Sequence, residues 1–352
     1  MAGRMRRSGA QADGKRGDNR AAMKPAGYYR ALPRRFRNRP VLIVGCGDVG
    51  TRIGAALAAR GLRVLGTVRT PDKATALRQV GIVPLIADLD ARRDLRVGAW
   101  ARRLIDLAPP PGQGTDDPRS RHLIAALATR SARGPGRPLP AGHGEPASRR
   151  VYVSTTGVYG DCAGARFDET RPAAPASDRA VRRVAAEQLW RRASRRGEGA
   201  VSILRVPGIY AHDRLPLDRL RAGLPALLPE HDVYTNHVHA DDLARICVAA
   251  LWRGRAARIV HAVDDTDLKM GDYFDRVADA AGLPRPPRLD PAALARRVSP
   301  AMLSFMRESR RLANERLKRE LRVRLRYPTV DHTLAEAFGS VVNYRAQNGL
   351  PV

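Results

Sequence analysis

Val41-Leu42-Ile43-Val44-Gly45-Cys46-Gly47-Asp48-Val49-Gly50 decides the fold of this chain. Four apolar residues in a row, stopping at a glycine, read as a strand buried on both faces, as in the middle of a parallel sheet. The glycines that follow have the spacing G-x-G-x-x-G. Gly45 permits a tight turn, Gly47 lets a ligand approach the backbone, and Gly50 lets the next element pack close to the strand. That element, Val49 to Arg60, is rich in alanine. It sets Val49, Ile53 and Leu57 on one face and stops at Gly61, as an amphipathic helix does. Strand, glycine turn and helix together make a seat for a dinucleotide. The helix start at Asp48 and Val49 offers amides with no intrahelical acceptor to a pyrophosphate.

The pattern continues outward. Arg63 to Arg69 reads as a strand, Lys73 to Val80 as a helix and Ile82 to Ile86 as a third strand. The β-α-β-α-β order implies a parallel, doubly wound sheet with right-handed crossovers. Leu104 to Ala108 is a weaker strand running into Pro109-Pro110-Pro111, and a helix follows from Arg119 to Arg130. Residues 131–149 read as a surface loop. Strands are expected at Arg150 to Ser154, Val201 to Val206 and Arg258 to Ala262. Helices are expected at Ala180 to Arg196, a strongly basic one, and at Asp241 to Trp252, with helical segments near 269–281 and 291–323. The fold class is α/β: a doubly wound parallel Rossmann sheet with a small C-terminal α/β lobe. Residues 1–39 read as a disordered basic extension and 40–264 as the dinucleotide-binding domain. Residues 265–352 form the C-terminal substrate lobe, to which 211–235 contribute.

The end of the second strand sets the flavour of the cofactor. A carboxylate there would bind the ribose 2′-hydroxyl of NAD. This chain has Arg69-Thr70 instead, with Lys73 just beyond, and an arginine can grip a 2′-phosphate through two parallel hydrogen bonds. NADP is therefore favoured over NAD, with Asp72 close by as the contrary sign. Asp88-Leu89, after the third strand, lies where a carboxylate could reach the adenine amino group or simply shape a loop.

Further motifs resemble one family. Val151-Tyr-Val-Ser-Thr-Thr-Gly-Val-Tyr-Gly160 is similar to the strand, Ser/Thr pair and VYG of extended short-chain dehydrogenases/reductases. Asp168-Glu169-Thr170 with Pro172, Leu204-Arg-Val-Pro-Gly-Ile-Tyr210, Asn236-His-Val-His-Ala-Asp-Asp-Leu-Ala244 and Asn314 to Pro328 resemble later motifs of that family, in its order. The resemblance implies that Pro207 lies beside the nicotinamide and that Thr155 occupies the Ser/Thr position that orients a carbonyl. The chain departs from the family at its acid–base pair, Tyr-x-x-x-Lys. Counted back from Glu187, the Tyr position falls on Arg179 and the Lys position on Arg183. An arginine stays protonated and cannot serve as a general base, although Arg183 could still hold a cofactor hydroxyl or phosphate. The chain thus looks like the atypical subgroup of NAD-dependent epimerase/dehydratase-like oxidoreductases. Tyr159, Tyr210, His212 and Asp213 are positional candidates for the missing acid–base group.

Composition bounds the rest. The net charge is +28. Residues 1–39 hold twelve Lys or Arg against two Asp, and the rest of the excess is spread over many arginines. No nucleic-acid-reading motif accompanies the charge, so it reads as a solvated arginine-rich surface. The same holds for Arg307 to Arg326, with nine basic and three acidic residues. No apolar run is long enough to span a membrane. The cysteines, Cys46, Cys162 and Cys247, form no CxxC pair, which suits a reducing cytoplasm. His237 and His239 alternate onto one strand face, with His231 nearby. They could pair on a metal, but the reading adopted is a turn into a helix capped by Asp241 or Asp242. Function is expected to be oxidoreductase or epimerase/dehydratase chemistry on a small polar, nucleotide-sugar-like substrate. The alternative is a non-catalytic NADP-binding sensor or scaffold. The family commonly forms helix-to-helix homodimers.

Overall fold

Val41–Val44 is a strand, β1, with all four residues buried. In this computed structural model residues 40–91, 101–131 and 148–347 are described. The basic extension, most of the 131–149 loop and the last few residues fall outside them. β1 is an interior strand of a seven-stranded sheet with β2 (Val64–Val68), β3 (Ile82–Ile86), β4 (Arg103–Asp106), β5 (Arg149–Thr155), β6 (Ala200–Val206) and β7 (Arg258–His261). The order in space is β7-β6-β5-β4-β1-β2-β3, and every neighbouring pair is parallel. Leu42 of β1 lies beside Leu65 on one flank and Leu104 on the other. Chain order reverses across β1, which opens a crevice at the C-terminal strand ends, where ligands of this fold class sit.

The alternation of β1 divides the core. Val41 and Ile43 pack with Ile53 and Leu57 of α1 (Asp48–Ala58) and with Leu243, Ile246 and Ala250 of a later helix. That later helix spans Ala240–Arg253. Leu42 and Val44 face the other layer, with Leu104, Leu123, Leu127, Tyr152, Ala186 and Trp190. The other long helices before it are α2 (Pro71–Gln79), α3 (Pro118–Ser131) and α4 (Asp178–Arg195). Ala240–Arg253 is α5, and a five-residue helix, Leu217–Arg221, lies between α4 and α5. Burying each Leu or Ile of β1 contributes about 1.5–3 kcal/mol, so a strand covered on both sides anchors both layers.

The basic helix differs from its sequence reading. Its arginines are not all on the surface: Arg182 and Arg183 are buried, as is Glu187. The Glu187 and Arg205 side chains are 3% and 4% exposed and meet through Nε at 3.0 Å and Nη2 at 2.7 Å. Ser154 Oγ donates to the same carboxylate at 2.6 Å. This buried pair ties α4 to β5 and β6.

A third apolar cluster joins Tyr210, Leu215, Leu220, Ala226 and Leu227 to Tyr273, Phe274 and Val277 of α6 (Met270–Ala281), to Leu294 and Met306, and to Val330 and Leu334 of α7 (Val330–Gln347). Segments on either side of β7 thus share one core. Two sequence readings need correction here. Residues 291–323 are not continuously helical. They form short helices at Pro291–Ala295, Pro300–Phe305 and Glu315–Glu320, with Arg311–Leu312 extended against Arg166–Phe167. The signal was present: Asp290 and Ser299 each cap a helix whose first residue is proline, and proline starts helices far better than it continues them. The helix α7 was not anticipated, although Val330, Leu334 and Phe338 repeat every fourth residue, the period of a buried helical stripe.

Two asparagines hold the tail in place. Asn236 donates to Arg310 O and accepts from Leu312 N, while Asn314 Nδ2 reaches Val263 O and the Asp265 carboxylate. Replacing Glu187 by Ala should leave the Arg205 guanidinium buried without its partner. The expected loss is about 3–5 kcal/mol, read as a lower urea midpoint, and a change under 1 kcal/mol would remove this pair from the framework.

Candidate functional site

Gly45 leaves β1 with φ +76°, and a methyl group built there would lie 2.9 Å from Ala108 N. The position is therefore closed to a side chain on two counts, conformation and space. Around Gly47 the opposite holds: an added methyl group meets nothing within 4 Å. Gly47 caps α1 with backbone only, no side chain satisfying the helix start. Gly45 N donates to Thr67 Oγ1 at 2.8 Å and Cys46 N to Thr67 O at 2.9 Å, fixing the turn against β2. An open, uncapped helix start above a tightly held glycine turn fits a pyrophosphate. Asp48 would oppose such an anion, but its carboxylate is engaged by Arg52 Nε at 3.1 Å and Arg214 Nη1 at 3.0 Å. Arg52 also reaches Asp241 at 2.7 Å. Val49 follows half-buried and Gly50 buried within α1. Arg214 carried no sequence signal, because a segment far along the chain brings it to Asp48, whereas Asp48 and Arg52 have the i,i+4 spacing of a helical ion pair.

At the end of β2, Arg69 and Thr70 are both exposed, and among the described residues the Arg69 guanidinium has no hydrogen-bond partner. Beyond β3, Asp88 is exposed and Leu89 half-buried. Leu89 lines a small hollow with Val44, Ala108, Asp106, Asp117, Ser120 and Leu123. Asp90 and Arg119 close one side of it, paired at 2.7 and 2.6 Å, while Arg119 also donates to Pro109 O. Asp117 starts α3 by accepting from Arg119 N and Ser120 N. Burial, and then the Asp117 charge, raises the Asp106 carboxyl to about 7.

Around the far end of β5 the candidates separate. Thr155 is half-buried, and its Oγ1 accepts from Gly157 N at 3.3 Å, so its own proton is free to donate. Pro207 follows β6, half-buried, at the same sheet edge. Arg183 is 8% exposed. Its Nη1 donates to Val153 O at 2.8 Å and Tyr152 Oη at 3.1 Å and lies 3.5 Å from Ala108 O. It thus fastens α4 to β5 and to the residue that abuts Gly45. Arg179, one turn earlier on α4, is exposed, with its guanidinium 5.7 Å from the Phe305 ring centre.

Tyr159 and Tyr210 do not join this group. Each is 1% exposed. The Tyr159 hydroxyl donates to His261 Nε2 at 2.6 Å, with His261 Nδ1 facing Ala313 O at 2.9 Å. Burial pushes the Tyr159 phenol up to about 12 against the pull of Arg205. The Tyr210 hydroxyl donates to Asp264 at 3.0 Å, and burial with that carboxylate raises its pKa further. Both phenols are committed to core partners and held in their neutral form. His212 and Asp213 stay at the surface, His212 3.7 Å from Glu336 and Asp213 3.4 Å from Arg52.

The helix cap after His237–His239 is also corrected. His239 itself caps α5, its Nδ1 accepting from Asp241 N at 3.2 Å. Asp242 instead accepts from Arg326 N and Tyr327 N, holding the tail turn. His237 is buried and its pKa falls to about 4 because burial disfavours the charged ring. Among the described residues no cluster of three His, Cys, Asp or Glu side chains could hold a metal. No described helix is long and apolar enough to cross a membrane.

The sequence profile of the NAD dependent epimerase/dehydratase family matches residues 41–262. No curated protein matches the chain. Among solved structures, a functionally unknown conserved protein from Silicibacter pomeroyi DSS is 29% identical, with TM-score 0.70, over 86% of this chain and 99% of that one. A putative epimerase from Burkholderia cenocepacia J2315 is 19% identical, with TM-score 0.67, over 87% and 98%. The dTDP-glucose 4,6-dehydratase DesIV from Streptomyces venezuelae, solved with NAD and TYD bound, is 18% identical, with TM-score 0.65, over 88% and 98%. The last two share the fold.

Tyr159→Phe should cost about 1–3 kcal/mol, since it leaves the buried His261 Nε2 without a donor, while dinucleotide affinity stays within twofold. A large loss of affinity with unchanged stability would return Tyr159 to the site. Asp106 tests the electrostatics. Its raised pKa stabilises the fold fully only below the ordinary value of 3.8, and that contribution is lost as pH rises to about 7. Asp106→Asn should therefore gain on the wild type as pH climbs through that window, by at most about 1.4 kcal/mol per pH unit. Urea midpoints across pH 4 to 8 measure it, and a flat difference would contradict the burial argument.

Proposed function

This chain belongs to the NAD dependent epimerase/dehydratase family, and from that premise we propose that it binds NADP and acts as an oxidoreductase or epimerase on a small polar substrate of the nucleotide-sugar class. The observation that carries the reading is the uncapped start of α1 over the open Gly47, behind a Gly45 turn that admits no side chain. The exposed Arg69, with no described hydrogen-bond partner, supports the preference for NADP, as a guanidinium suits a 2′-phosphate. Asp88 and Leu89 would face the adenine, beside the hollow under the Asp90–Arg119 pair. When bound, the nicotinamide would take up and return a hydride. The substrate would lie between the sheet edge at Thr155 and Pro207 and the lobe formed by residues 211–235 and 265–352.

Within that cleft Thr155 would donate its hydroxyl proton to a substrate oxygen. Arg183 would hold the floor of the site and its positive charge, since its Nη1 is committed to Val153 and Tyr152. A second reading, a cofactor-binding sensor or scaffold without turnover, is favoured by one observation. Counted back from Glu187 in the sequence, the family's acid–base positions would fall on Arg179 and Arg183, and neither arginine can exchange a proton near neutral pH.

Fluorescence titration of NADPH and NADH tests the cofactor assignment. Arg69→Asp should weaken NADPH relative to NADH by tenfold or more, and an unchanged ratio would overturn the choice of NADP. Turnover of UDP- or dTDP-sugars by the loaded protein supports the enzymatic reading; binding without turnover across that panel supports the sensor.

A further inference from the structure

The start of α4 collects positive charge where the helix least favours it. Arg179, Arg182 and Arg183 lie within its opening turns, and the aligned peptide dipoles already make a helix N-terminus positive. Asp178 is the one acidic residue in the first turn. Two of the arginines have structural work. Arg182 Nη1 donates to Gly114 O at 2.8 Å, and Arg183 binds Val153 O and Tyr152 Oη. Arg183 is more than nine-tenths buried, yet its Nε has no hydrogen-bond partner among the described residues.

Arg179 has no such work. Among the described residues it makes no hydrogen bond or ion pair, and its contact is the face of Phe305, itself 47% exposed. Partial burial, and then the nearby Arg183 and Arg182 charges, lower its pKa, with Glu308 opposing. Glu308 is itself held by Arg310 at 2.6 Å. Four residues along α4 bring Arg179 onto the face of Arg183, whose guanidinium reaches the Ala108 carbonyl beside Gly45. The unpaired guanidinium is thus one helical turn from the floor of the dinucleotide cleft, facing an aromatic ring from the opposite lobe.

We propose that this turn is an anion-binding subsite, in which Arg179, backed by the start of α4 and by Arg183, binds a phosphate or carboxylate of the ligand in place of exchanging a proton with it. The proposal rests on the reading of the adjacent cleft as a cofactor site and names the chemistry of the second ligand. A guanidinium presents a planar fork that matches both anions, and the Phe305 ring centre lies 5.7 Å from it.

Calorimetric titration of the full-length, NADPH-saturated protein with inorganic phosphate and with malonate tests it, glycerol serving as the neutral control. Saturable binding of one anion and no binding of glycerol are expected, and the stronger of the two anions identifies the group. Arg179→Gln should weaken that binding at least tenfold and Arg179→Lys by less, with NADPH affinity unchanged within twofold. Absence of saturable anion binding, or equal binding by the Gln variant, overturns the subsite. If NADPH itself fails to bind, the cofactor reading falls, and the same anion titrations on the free protein still decide the role of Arg179.

Discussion

A parallel sheet covered on both faces leaves no side chain of its central strands free for chemistry, and the whole molecule answers to that constraint. β1 is buried on both sides, and its neighbours β2 and β4 are buried as well. Every group that meets a ligand must therefore lie beyond the C-terminal ends of the strands, where chain order reverses and the crevice opens. The Gly45 turn is the first product of this constraint. It must leave the strand within one residue, pass against Ala108, and still present the α1 amides outward. Glycine alone meets the space and the φ at that point.

The same crevice explains the polar architecture behind it. The buried Glu187–Arg205 pair, with Ser154, stands directly behind the strand ends that carry Thr155 and Pro207. Next to it Tyr159, His261 and the Ala313 carbonyl form a second hydrogen-bonded line into the tail. Arg205 lies over the Tyr159 ring at 4.6 Å, which joins the two. Such groups are costly to bury unless each finds a partner. Here the partners come from α4, β5, β6, β7 and the segment after α6, so the network also locks the lobe to the sheet.

Arginine is the residue that adapts this scaffold. Arg183 puts a permanent charge at the strand ends and is bonded into them. Arg52 and Arg214 neutralise Asp48 beside the glycine turn. Arg119 closes the hollow near Leu89. Each is a fixed guanidinium doing geometry as much as electrostatics.

The sheet, the glycine turn and the alternation of strands and helices were legible in the sequence because their causes are local. A four-residue apolar run, the spacing of glycines and a helical stripe each act over a few residues, and even Ile82 to Ile86 was bounded as observed. The capped prolines at 291 and 300 and the stripe from Val330 were local signals too, and they went unread. What only the tertiary structure decided was which polar side chains face the crevice. Tyr159 and Tyr210 sit beside family-like motifs, yet their hydroxyls meet His261 and Asp264, partners 102 and 54 residues away. Arg183 read as a residue that could hold a cofactor hydroxyl or phosphate, and its Nη1 is bonded to Val153 O and Tyr152 Oη beneath the sheet edge. His239, not a neighbouring aspartate, caps α5. Whether a polar atom is sunk in the core or presented to a ligand depends on what distant segments bring to it, and no spacing within one stretch of chain encodes that.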